Sequence, residues 1–298
     1  MKDELKRALA EDISRGDVTS NLLIPKNAAG SAVIISREPG IFFGVEVARE
    51  LFRIADPKLR ARFFIQDGKN FPKNKKLIEI RGRVRSILKT ERTVLNFLQH
   101  LSGISTQTRR FVEKVKKYRV KILDTRKTTP LWRELEKAAV KAGGGFNHRF
   151  SLADEIFVKE NHRIRGYKGQ RSLIGLRGSK SKIVLKPLQL LKPFEPLRPF
   201  LRYPRRFIIE VRNLRELKEI AGKIKPRVIL FDNFSPVQLK RAVAYARKKD
   251  PRAILEASGG ITLENVTRFA ATGVDQISIG SLTHSVKSID LSLLAERT

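Results

Sequence analysis

Two clusters of cations stand about one helix apart in residues 122–149, ILDTRKTTPLWRELEKAAVKAGGGFNHR. Arg126 and Lys127 follow a short apolar run, with hydroxyls and the Asp124 carboxylate in the same turn. His148 and Arg149 follow Gly143-Gly144-Gly145. Arginine grips a carboxylate through two parallel hydrogen bonds, and lysine supplies a point charge. Three successive glycines let the backbone turn sharply or approach a ligand closely. Taken singly, each cation reads as a solvated strand end. Together they suit a pocket for a small molecule with several negative charges.

Further candidates close later apolar runs. Lys159 ends EIFVK, where a lysine can hold a second carboxylate. Glu210 and Asp232 end RRFIIE and RVILFD in a chain where acids are scarce. Two such carboxylates can hold Mg²⁺, accept hydrogen bonds from ribose hydroxyls, or stabilise an oxocarbenium-like cation. Their spacing does not choose among these. Ser258-Gly259-Gly260 and Gly280-Ser281 close the last two runs. Glycine turns with free N–H groups before helix N-termini suit a phosphate.

The elements that must position these groups fall into two kinds. Residues 1–11 are expected to form a helix, and residues up to about 90 a small, mostly β region with short strands, tight turns and a helix in GVEVARELFRI. From Glu91 the period becomes helical, with Val94, Leu95, Leu98, Leu101 and Ile104 on one stripe. Gly103 is expected to break that helix, and a second one resumes towards Tyr118. Strands and helices then alternate to the end, which implies parallel strands with helical crossovers. Asp124, Lys159, Glu210, Asp232, Ser258 and Gly280 all sit where strands end, the active face of a βα barrel. Residues 163–206 interrupt this rhythm with five prolines, thirteen Lys/Arg and one acid. They read as an irregular basic insertion.

The chain has 298 residues, 62 Lys+Arg and 30 Asp+Glu, for a net charge of +32. Such a field attracts phosphates, nucleic acid and acidic membranes. Aromatic residues are 7%, and the insertion offers few stacking rings, so nucleic acid is expected to bind only through nonspecific charge. Cysteine is absent, which excludes a disulfide framework and a thiolate nucleophile. No apolar run approaches a membrane span, and the N-terminus is too charged for a signal peptide. The expectation is a soluble, cytoplasmic protein.

The strings EDISRGDVTS, ERTVLNFLQHLSGISTQT, DTRKTTP, KAGGGFNHR, VKENH, LFDNFSP, LEASGGI and ISIGSLTHS, in this order, resemble quinolinate phosphoribosyltransferase. The resemblance covers most of the chain outside 163–206. It implies an α/β protein: an N-terminal α/β sandwich at 1–105, an incomplete, TIM-like βα barrel at 106–285, and a C-terminal helix at 286–298 packed back on the first domain. It implies a homodimer or larger homo-oligomer whose sites span a subunit boundary. It implies transfer of phosphoribose from phosphoribosyl pyrophosphate to quinolinate, with Mg²⁺ and no organic cofactor, releasing pyrophosphate and CO₂ and giving nicotinate mononucleotide for NAD biosynthesis. Arg126, His148, Arg149 and Lys159 would then hold the quinolinate carboxylates, with Arg92 reaching in from a neighbouring subunit. Lys127 would serve quinolinate or the pyrophosphate. Glu210 and Asp232 would face the ribose and Mg²⁺. Ser258, Gly259, Gly260, Gly280 and His284 would bind the 5′-phosphate. Arg212 stands where the family commonly has a second acid, and the interval from Lys159 to Glu210 is long for the family. Two alternatives stay open: a related phosphoribosyltransferase acting on another heterocycle, and a basic nucleic-acid-binding protein.

Overall fold

The computed structural model describes residues 1–159 and 207–296. The insertion expected at 163–206 lies outside the described residues. The described residues form two compact units, one of residues 1–114, 122–148 and 280–296, the other of 115–121, 149–159 and 207–279.

The first unit begins with helix α1 (Lys2–Ile13), which buries Leu5 and Leu9. Helix α2 (Val18–Leu23) starts where the Asp17 side chain accepts the Ser20 N–H at 2.9 Å, a normal N-cap. Strands β1 (Ala29–Ser36), β3 (Arg60–Phe63) and β5 (Lys76–Arg83) share one antiparallel sheet with β12 (Leu291–Glu296), in the order β12-β1-β5-β3. A short pair, β2 (Gly40–Ile41) and β4 (Asn70–Phe71), stands apart from it. Helix α3 (Val45–Ala55) buries Val47, Ala48, Leu51 and Phe52, one stripe at helical spacing.

Two expectations fail in this unit. The C-terminal segment is a strand, not a helix. Its composition favours helix, but β1 offers an open edge whose backbone groups need partners. Register runs from Ser31 opposite Glu296 to Ser36 opposite Leu291. Arg37 N–H donates to Asp290 O at 2.9 Å and pins the strand's start. Secondly, Gly103 breaks nothing. Helix α4 is one 31-residue element, Val84–Lys114, and the boundary expected near 105 lies inside it. A Cβ at Gly103 would stand 2.4 Å from Lys287 O. The glycine lets α4 approach another backbone; it does not terminate the helix.

After strand β6 (Lys121–Leu123), helix α5 (Arg133–Ala142) completes this unit's larger elements. In the second unit, β7 (Ile156–Val158), β8 (Phe207–Val211), β9 (Val228–Asp232), β10 (Ile254–Ser258) and β11 (Gln276–Ser278) run parallel in the order β7-β8-β9-β10-β11. Helices α6 (Leu214–Ile220), α7 (Pro236–Lys249) and α8 (Val266–Ala270) connect them, as the alternating pattern requires. Phe207, Ile208, Ile209 and Val211 are almost wholly buried, each contributing about 1.5–3 kcal/mol of apolar burial. No helix among the described residues is long and apolar enough to cross a membrane.

Register sorts one face of this sheet into layers. Phe157, Ile208, Val228 and Ile254 form an apolar row. Two residues on, Glu210, Leu230, Glu256 and Gln276 form a mixed row. Asp232, Ser258 and Ser278, two residues further, are all polar. Side chains alternate faces with period two, so these rows share one face, and along it polarity rises towards the strands' C-terminal ends.

Candidate active site

In the first unit the candidate groups hang on the end of β6. Asp124 is fully buried there, and Lys137 of α5, 1% exposed, donates to its carboxylate. Asp124 also accepts the His148 N–H at 2.9 Å, and Lys137 Nζ donates to His148 O at 3.0 Å. With its amide nitrogen turned inward, Asn147 donates to Asp124 Oδ2 at 2.8 Å. Burial pushes the Asp124 carboxyl above its ordinary value; the Lys137 ammonium opposes that shift.

Arg126 is half-buried on the turn that follows. Its Nε is buried and meets no acceptor among the described residues. Lys127 is exposed, its N–H bonded to Thr125 Oγ1 at 3.1 Å. Thr283 Oγ1 donates to Lys127 O at 2.7 Å. A Cβ at Gly280 would lie 3.1 Å from Lys127 Cδ and 3.0 Å from the His284 ring, so only glycine lets these side chains gather there without displacement. Glu136, fully buried, joins Thr129 N–H at 3.1 Å to His100 Nε2 at 2.8 Å. Trp132 stacks on Phe97 with centroids 4.3 Å apart. Arg92 is exposed on α4, two turns before His100.

The triple glycine ends α5 and turns the chain, as expected, and it also admits close packing. A Cβ at Gly143 would stand 2.5 Å from Ser105 O, and one at Gly145 would stand 2.7 Å from Thr108 Cγ2. Both face α4, so they serve packing between elements. Gly144, at φ +92, makes the turn.

In the second unit Arg149 donates to Glu155 O at 2.9 Å, and its guanidinium lies 4.9 Å from the Phe157 ring centroid. Lys159 Nζ lies 4.7 Å from the same ring and 3.3 Å from Glu210. The structure thus brings Arg149 and Lys159 to one aromatic ring, and Lys159 links on to Glu210. Asp232 Oδ2 accepts from the Asn233 amide at 3.1 Å. Asn233, at φ +59, donates its N–H to Ser258 O at 2.9 Å. A Cβ at Gly259 would fall 2.1 Å from Asn233 Oδ1. Gly259 and Gly260 both have positive φ, and α8 starts only at Val266. This turn is therefore a left-handed glycine pair, not the direct start of a helix; α9 (Ser281–His284), after Gly280, is a single turn.

No group of three or more His, Cys, Asp or Glu side chains among the described residues could hold a metal by itself. Glu210 pairs with Leu230, two residues before Asp232, so both carboxylates share one sheet face. Two hard oxygen donors fit a Mg²⁺ ion that arrives on a diphosphate and keeps several waters.

Sequence reasoning overlooked His100, Glu136, Lys137 and Thr283. One signal was available: Glu136 precedes Ala139 and Val140 by three and four residues, which puts a charge on the buried stripe of α5.

Two family models match the chain: the N-terminal domain of quinolinate phosphoribosyl transferase over residues 17–102, and its C-terminal domain over 104–173 and 192–294. A nicotinate-nucleotide pyrophosphorylase (carboxylating) of Mycobacterium leprae is 35% identical over 297 residues, covering 98% of this chain and 96% of that protein. A probable enzyme of the same name from Bacillus subtilis is 37% identical over 293 residues, covering 98% and 92%. The solved nicotinate-nucleotide pyrophosphorylase of Francisella tularensis superposes with a TM-score of 0.82 at 36% identity, covering 99% of this chain and 95% of that one. With both domain models matched and relatives aligned nearly end to end, the chain belongs to the quinolinate phosphoribosyltransferase family.

Proposed function

We propose that the protein transfers phosphoribose from phosphoribosyl pyrophosphate to quinolinate and decarboxylates the adduct, giving nicotinate mononucleotide, pyrophosphate and CO₂. The observation that carries this reading is Arg126 Nε, a buried donor without an acceptor among the described residues. Leaving such a donor unmet costs about 1–3 kcal/mol, and a bound carboxylate removes that cost. Lys127 and His148 add donors in the same unit; the family resemblance adds Arg149 and Lys159 to the cations that would serve quinolinate. A dicarboxylate uses this many cations better than a monocarboxylate does.

Departure of pyrophosphate leaves positive character at the ribose C1, which the carboxylates of Glu210 and Asp232 stabilise. The pyridine nitrogen forms the new bond to C1 and becomes cationic. As CO₂ leaves, the electron pair of the C–CO₂ bond stays on the ring carbon, where the adjacent cationic nitrogen stabilises it, and a proton then takes that carbon. The protein's part is to position the ring and neutralise its acids. Ser258, Gly259, Gly260, Gly280 and His284 are assigned to the 5′-phosphate. Mg²⁺, held on Glu210 and Asp232, would neutralise charge on the leaving pyrophosphate.

Purified protein given quinolinate, phosphoribosyl pyrophosphate and Mg²⁺ should yield nicotinate mononucleotide and CO₂ in equal amounts. Absence of turnover by folded protein would refute the assignment, and faster turnover of nicotinate would redirect it to another heterocycle.

We also assign Arg92 to the site of a second copy of this chain. Val18, Leu22 and Leu23 on α2 are 80%, 82% and 71% exposed, an apolar patch suited to an interface. Mixing inactive Arg92→Ala and Arg126→Ala proteins should restore part of the activity. A strictly monomeric mass in solution would overturn this arrangement.

A further inference from the structure

The buried charges beneath the first unit's cations are not used by the reaction above. Lys137 and Asp124 are 1% and 0% exposed. Exchanging a buried ion pair for apolar side chains is often neutral or stabilising. Folding stability alone is therefore a weak reason to keep one here.

Its connections point elsewhere. Both peptide polar groups of His148 end on this pair: its N–H on Asp124 at 2.9 Å, its C=O on Lys137 Nζ at 3.0 Å. The chain just before His148 lies alongside β6: Phe146 N–H donates to Ile122 O at 2.8 Å, and Asp124 N–H donates to Phe146 O at 3.1 Å. Asn147 adds its amide to Asp124 Oδ2. Asp124 also stands two residues before Arg126. One carboxylate thus ties the turn carrying Arg126 to the segment carrying His148, and the lysine fixes the second backbone group of His148. Loops built this way are held by directional bonds in a low-dielectric interior, where such bonds are strong.

We infer that the Asp124–Lys137 pair is a positioning device for quinolinate recognition: it sets the place and orientation of His148 relative to the Arg126 turn, and neither residue touches substrate. The inference rests on the quinolinate reading above and deepens it.

The test separates folding from recognition. Lys137→Met leaves a carboxylate buried without its cation and destabilises the protein. Adding Asp124→Asn removes that charge and should recover most of the lost thermal stability. In the double variant, KM for quinolinate should remain raised about tenfold or more, with KM for phosphoribosyl pyrophosphate nearly unchanged. Recovery of both stability and quinolinate KM would overturn the inference, because the pair would then serve only the core. A gentler variant covers the case in which the double variant does not fold. Lys137→Gln keeps an N–H donor, and its effect on quinolinate KM should vanish in a His148→Ala background. Equal effects in the two backgrounds would overturn the inference equally. Wild-type protein run alongside distinguishes the levels: turnover by wild type with unaffected variants sinks the positioning role alone, whereas no wild-type turnover sinks the function with it.

Discussion

The two units hold their charged groups by different means. In the first, Arg126, Lys127 and His148 sit on irregular chain, and buried side chains under that chain fix it: Asp124, Glu136 and Lys137. In the second, Glu210 and Asp232 sit in or at the end of regular strands, and register fixes them. A strand position changes face only if the whole strand slips. A loop position changes whenever one buried bond is lost. Damage should therefore spread further from a single substitution in the first unit than in the second.

The largest effect is expected at Arg126. Arg126→Ala removes the unmet donor and should lower kcat/KM for quinolinate by about 10²-fold or more, with the unfolding temperature unchanged or raised, since a buried unsatisfied group disappears. A folded variant with wild-type quinolinate kinetics would break the contrast at its strongest point. Next comes Gly259→Ala. Its Cβ would collide with Asn233 at a backbone φ of +94, so the turn must move, and KM for phosphoribosyl pyrophosphate should rise about tenfold with little change in that for quinolinate. Equal changes in both constants would show that the halves are not separately built.

The smallest effect sharpens the comparison, because the second unit also has one loop-held cation. Asp154 accepts from Ser151 Oγ at 2.7 Å, Ser151 N–H at 3.0 Å and Phe150 N–H at 2.7 Å, in the turn that follows Arg149. The Ser151 hydroxyl, then the two backbone bonds, holds this carboxyl below its ordinary range. Its folded value is lower than its unfolded one, so its contribution is present above about pH 4 and fades as pH falls through the lowered value. Asp154→Ala should raise KM for quinolinate about twofold at neutral pH and flatten the acid limb of the unfolding profile below pH 4. An unaltered acid limb would remove Asp154 from the account.

Much of this was legible in the residues. The alternation of apolar runs and helical stripes announced the parallel sheet, and every candidate at a strand end except Gly280 lies on or beside a strand terminus as expected; Gly280 begins one residue after Ile279, just beyond β11. The glycines were harder to read. Gly103 looks like a breaker in sequence, yet α4 runs through it and it admits a backbone oxygen closer than any Cβ allows; Gly143 does end α5, but it too admits such an oxygen. Local composition carries no record of what will approach from elsewhere in the chain.

The same limit separates what the sequence determined from what tertiary structure decided. Period, charge and turn residues are local quantities, and they specified which segments become strands and which cations stand at strand ends. The C-terminal strand, the uninterrupted α4 and the buried Asp124–Lys137 pair were settled only by folding. Each depends on a partner far along the chain: an open sheet edge, a close backbone, or an opposite charge in an interior that water does not reach.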